Sequence, residues 1–145
     1  MLNIDNLTNF SINTQLLEDI VKLHTKREID LIVCYNLTIQ EYNREYRGKD
    51  SATDVLSFPI DDEMIVASDL MPLGSIVISM DFVKEKSEAL QHSMNDEFTL
   101  LFIHGLLHLL GYDHEVDNGE MREKEEEMIK ALNLPKSLIV RTEGS

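Results

Sequence analysis

The sequence predicts an α/β fold: a small mixed β-sheet packed with helices, carrying a metal site on one buried helix. Three observations lead there. Short runs rich in Val, Ile and Leu alternate with stretches of helical periodicity along the chain. One run from Phe98 to Leu110 is apolar nearly all round, the mark of a helix buried on every side. That run and the four residues after it hold three of the five histidines, at a spacing a metal ion can use.

Each element has its own signal. Residues 2–6 read as an opening strand, and 14–27 as a helix whose apolar face is Leu16, Leu17, Ile20, Val21 and Leu23. Residues 29–35 read as a buried strand. Thr38 is placed as an N-cap with Glu41 three residues on, the reciprocal capping-box arrangement, for a helix ending near Gly48. Residues 54–60 and 74–79 read as two further strands, and the segment between them, marked by Pro59 and Pro72, reads as a loop. A polar helix is expected over 81–92, the buried helix from about Asp96, and an acidic helix after it. At 145 residues and 43% hydrophobic content the chain suits a single domain, 1–145, with a core of its own.

The stretch HGLLHLLGYDH, residues 104–114, carries the chemistry. His104 and His108 are four apart, so on a helix both imidazoles project from one face, one turn above the other. Gly111 follows where the helix needs a residue free to turn left-handed, so the chain can reverse there and return His114 to the pair. Three nitrogen ligands leave a fourth position for water, as catalytic zinc requires. The zinc proteases place a glutamate general base after the first histidine, in H-E-x-x-H. Here that position is Gly105, which argues against peptide hydrolysis by that route.

Composition narrows the partners. A net charge of -14 and a pI near 4.6 exclude a protein that coats nucleic acid through a broad basic surface, while leaving room for a local basic cleft. The acidity concentrates in Glu120, Glu123, Glu125, Glu126 and Glu127, read as a solvated helix face, with Met121, Met128, Ile129 and Leu132 as its inward stripe. The N-terminus lacks a basic segment followed by an apolar run, and no stretch is long enough to span a bilayer, so a cytoplasmic protein without a membrane partner is expected. The single Cys34, inside Leu31, Ile32 and Val33, is read as a small buried core residue. His24 and His92 fall in polar helices and are read as surface histidines.

Together with YNREYRGKDSATDVLSFP at 42–59 and LGSIVIS at 73–79, the histidine stretch resembles the YbeY family of bacterial endoribonucleases, which mature and police ribosomal RNA. The resemblance covers nearly the whole chain and follows the family's order and separations of motifs. It implies an α/β sandwich whose metal helix is similar to that of the zinc proteases. It also implies one zinc ion held by His104, His108 and His114, with Arg47 as the basic residue of the active-site cleft. The activity implied is cleavage of single-stranded ribosomal RNA, in maturation of the 16S 3′ end, ribosome biogenesis and ribosome quality control. Ribosomal particles or assembly proteins would be the partners, and DNA would not. One position departs: where the family more usually has an acid after the glycine, this chain has Ser75, which can hydrogen-bond but carries no charge.

The residues support that chemistry in part by themselves. A guanidinium that forks onto two phosphate oxygens stabilises the charge that builds during phosphodiester cleavage, the role expected of Arg47; the competing reading is a helix-end dipole contact or salt bridge. Lys49 and Arg44 add local positive potential, and Ser57, among apolar strand residues, is the substrate contact expected of that strand. Thr53 and Asp54 are read as shaping the strand's start. Asp113, beside the last histidine, either orients an imidazole and assists proton transfer or caps the helix end. Tyr46, Phe58 and Tyr112 are the aromatics nearest to hand for stacking on bases. Two other functions compete: a ribosome-assembly or RNA-binding factor whose metal is mainly structural, and a metallopeptidase, which Gly105 disfavours.

Overall fold

Alternating Val, Ile and Leu positions assemble the centre of the molecule. The computed structural model of the protein describes residues 2–60, 72–112 and 119–134. In chain order the elements are β1 (Leu2–Asn6), α1 (Thr14–Lys22), β2 (Ile29–Cys34), α2 (Asn36–Arg47), β3 (Val55–Pro59), β4 (Gly74–Ser79), α3 (Met80–Leu90), α4 (Met94–Leu109) and α5 (Glu120–Ala131). The strands form one mixed sheet in the order β1-β2-β4-β3. β1, β2 and β4 run parallel, and β3 pairs antiparallel at the edge beside β4.

Because successive strand side chains point to opposite faces, each central strand serves two cores. Leu31, Val33, Ile76 and Ile78 face the larger core, where they meet Leu17 and Ile20 of α1, Phe102, Ile103, Leu106 and Leu107 of α4, and Met121 and Met128 of α5. Cys34, Leu56 and Val77 face the smaller one with Ile39 of α2. Helix α2 therefore covers one face of the sheet, while α1 and α4 cover the other. Burial pushes the Cys34 thiol up to about 11, so it stays protonated and unreactive near neutral pH, the core role its setting predicted.

The strands at 2–6 and 74–79 stand as expected; several helix ends do not. Helix α1 stops at Lys22, five residues early. Helix α2 starts at Asn36, with Tyr35 as an N-cap that makes no side-chain hydrogen bond, so Thr38 lies inside the helix and the capping box does not form. In its place Asp81 accepts from the Asn36 backbone N–H at 2.8 Å. Helix α4 begins two residues early because Ser93 accepts from Asp96 N–H at 3.0 Å, an ordinary N-cap. The loop expected at 61–71 lies outside the described residues.

His92 overturns its surface reading. Its side chain is 2% exposed, and its Nε2 lies 2.9 Å from Glu97 Oε1 in the first turn of α4. The α3–α4 junction, where Gln91 adopts φ 57°, turns the histidine under the next helix. His24, also assigned to the surface, is part-buried with Nδ1 2.7 Å from Ile20 O.

Candidate active site

Helix α4 presents His104 and His108 from an otherwise apolar rod, both half-buried while their neighbours Ile103, Gly105, Leu106 and Leu107 are buried. The two Nε2 atoms face each other at 3.1 Å, with the rings 4.7 Å apart and nearly perpendicular. Each ring is held from behind. His104 Nδ1 lies 2.7 Å from a carboxylate oxygen of Glu125, and His108 Nδ1 lies 3.1 Å from the Tyr112 carbonyl. A carboxylate and a carbonyl can only accept, so both Nδ1 atoms carry a proton, and in neutral rings, the form that binds a metal, both Nε2 atoms present a lone pair. Two lone pairs at that separation repel unless a cation or a proton lies between them. The chemistry and the spacing both fit a metal, since two nitrogens on one tetrahedral zinc, each about 2.05 Å away, sit about 3.3 Å apart.

The second of these clamps depends on Gly111. With φ 102° it reverses the chain after the helix, and Tyr112 N–H then donates to Leu107 O at 3.0 Å. That reversal carries the Tyr112 carbonyl over His108. Among the described residues no three His, Cys, Asp or Glu side chains form a metal-holding group. His114, the expected third ligand, and Asp113 lie outside the described residues.

Glu125 is the residue that sequence reasoning missed. The glutamates of α5 were all assigned to a solvated face, yet Glu125 is 4% exposed and reaches His104. A signal was present: Glu125 is four residues after Met121 and three before Met128, and so belongs to the buried stripe.

The rest of the cleft is built at the open edge of the sheet. Ser57 of β3 is 7% exposed, and its hydroxyl donates to the Gly105 carbonyl at 3.1 Å. It therefore braces the strand against α4. Its own carbonyl takes Arg47 Nη2 at 3.4 Å. Ser57 thus links Arg47 to the peptide unit next to His104. A guanidinium has five N–H donors and this contact uses one, so the fork retains donors for an anion. Arg44 forms an exposed 3.8 Å pair with Asp50, while Lys49 is exposed. Asp54 accepts from Val55 N–H at 2.8 Å and shapes the start of β3 as expected.

Gly105 has a second role besides lacking a carboxylate. A Cβ there would meet Ile76 Cγ2 at 2.9 Å and Ser57 Oγ at 3.2 Å, so the helix lies against the sheet too closely to admit a glutamate. Ser75 lies on the opposite face of β4 from Ile76, the residue that packs on Gly105. The missing acid therefore does not fall on the face that carries the histidine pair.

A mixed four-stranded sheet whose buried helix offers paired imidazoles, with the arginine that ends α2 held on the carbonyl of the edge strand, defines a hydrolase-like site on an α/β scaffold. The chain belongs to the endoribonuclease YbeY family, a family of hydrolytic nucleases, whose model matches residues 3–133. It is 59% identical over 141 residues to an endoribonuclease YbeY of Aliarcobacter butzleri, covering 97% of this chain and 99% of that one. The figure is 56% over 143 residues for one of Nautilia profundicola, with 99% of each covered. In structure it is similar to the solution structure of TM1509 from Thermotoga maritima, with a TM-score of 0.60 and 27% identity over 99% of this chain and 93% of that one.

Proposed function

We propose that this protein is a zinc-dependent endoribonuclease that cleaves single-stranded ribosomal RNA, serving maturation of the 16S 3′ end and ribosome quality control in the cytoplasm. The observation that carries the metal-site reading is the pair of Nε2 lone pairs facing at 3.1 Å with both Nδ1 protons already committed. His104, His108 and His114 would hold the ion. When bound, zinc supplies a Lewis acid and brings the pKa of a coordinated water toward neutrality, which makes a separate strong base unnecessary. The protein's own residues do the rest. Glu125 and the Tyr112 carbonyl fix the tautomer and direction of the two imidazoles. Arg47, braced on Ser57, binds the phosphate and meets the charge that develops on its oxygens. Gly105 lets the helix close on the strand, where Ser57 bridges its peptide unit to Arg47.

The test is RNA cleavage and zinc content measured side by side on wild type, His108→Ala and Arg47→Ala, in preparations scrubbed of contaminating nuclease. His108→Ala is expected to lose both zinc and cleavage. Arg47→Ala should keep zinc and lose about 10²–10³-fold in kcat/KM, the scale of removing one donor that stabilises a transition state. Cleavage that survives both changes would overturn the proposal.

A further inference from the structure

Tyr46, on the last turn of α2, is 63% exposed. Single exposed aromatics are commonplace, but this ring is built into a platform. It lies 5.4 Å from Phe58 and 6.0 Å from Tyr42, the latter nearly parallel at 22°, and Tyr42 and Phe58 are themselves 6.3 Å apart. Phe58 packs against the small core on the α2 side of the sheet, which anchors the platform. Arg47 follows Tyr46 at the end of α2 and the exposed Lys49 lies just beyond it, two of the thirteen cations in a chain of net charge -14; Arg44 stands about 160° round the helix from Tyr46. On α2, Glu45 and Arg47 flank Tyr46 at about 100° on either side. Asp50 is engaged by Gln40 Nε2 at 3.0 Å and by Arg44.

The platform and the histidines lie on opposite sides of β3, and Ser57 and Phe58 are adjacent positions pointing to opposite faces. β3 is an edge strand, so a single nucleic-acid strand can cross it and touch both sides. We propose that Tyr46 is a stacking site for a nucleobase of single-stranded RNA, the base neighbouring the phosphate that Arg47 binds. This rests on the endoribonuclease reading and adds a subsite to it. A flat aromatic beside a guanidinium suits RNA because every base has a π-face, and the neighbouring phosphate meets Arg47.

The chain has no tryptophan, so Tyr46→Trp places a sole indole reporter on the platform of the intact protein. Its fluorescence is expected to be quenched by an unstructured oligoribonucleotide and left nearly unchanged by an abasic ribose-phosphate oligomer of equal length. In cleavage assays Tyr46→Ala should raise KM about 5- to 30-fold while kcat falls far less, the size of one lost stacking contact, and Tyr46→Phe should retain most of the affinity. Circular dichroism and Tm check that each variant folds. Equal quenching by the abasic oligomer, an unchanged KM in Tyr46→Ala, or equal losses in Tyr46→Ala and Tyr46→Phe would each overturn the stacking site. Wild type that fails to cleave RNA would instead overturn the endoribonuclease reading, and base-dependent quenching would still support the subsite.

Discussion

Taking a carboxylate out of water is costly unless a partner satisfies it, and Glu125 has that partner in His104 Nδ1 at 2.7 Å. Its effect on the proposed metal is indirect, through the direction and basicity of the imidazole it holds. Glu125→Ala is expected to weaken zinc binding about 10- to 100-fold, and Glu125→Gln, which keeps an acceptor and loses the charge, by less. Competition against a chromophoric chelator reads this directly, and an Ala variant with wild-type affinity would refute it. The histidine spacing and the glycine at 105 were legible because both are local. Glu125 was harder to see, because its helical row pointed inward while its chemical type pointed outward.

Helix α4 joins the core to the site, and Gly105 sets how closely it approaches the sheet. Alanine would raise helix propensity by about 1 kcal/mol. Against that, its methyl would press on Ile76 Cγ2 at 2.9 Å in a packed core, and overpacking costs about 1–3 kcal/mol. The packing term wins because the neighbour is a buried strand side chain with no solvent to move into. Gly105→Ala should therefore lower stability by about 1 kcal/mol in urea denaturation. Adding Ile76→Ala, which removes the obstructing Cγ2 methyl, should narrow the deficit of Gly105→Ala relative to its own background. A Gly105→Ala protein more stable than wild type would show that the helix has slack. At this scale strands were read more accurately than helix ends. An alternating run marks its own limits, whereas the start of α2 depends on Asp81, a residue 45 positions away.

The main core runs from α1 through the sheet to α4 and α5 and does not include the histidines, which lie at its rim. A metal held there adds binding free energy to a fold that already has its own buried interior. At free zinc a hundred times Kd this amounts to about 2.7 kcal/mol. Stripping the metal is thus expected to lower Tm by on the order of 10 °C for a chain of this size while far-UV circular dichroism and cooperative unfolding persist. Collapse of the fold on chelation would favour the competing function, an assembly factor with a structural metal. No described helix is long and apolar enough to cross a membrane.

What the sequence determined by itself was whatever repeats within a few residues: the strand runs, the buried helix, the His104–His108 spacing, the turn at Gly111 and the motifs that resemble the family. What only the tertiary structure decided were the contacts between distant positions: Glu125 on His104 across 21 residues, Ser57 on Gly105 across 48, and Arg47 on the Ser57 carbonyl of the edge strand β3 across 10. The physical reason is that periodicity is imposed by backbone geometry, which every short segment carries within itself. Which faces meet depends on the packing of the whole, and that burial turned one acidic residue of α5 into a support for a histidine and one strand serine into a brace.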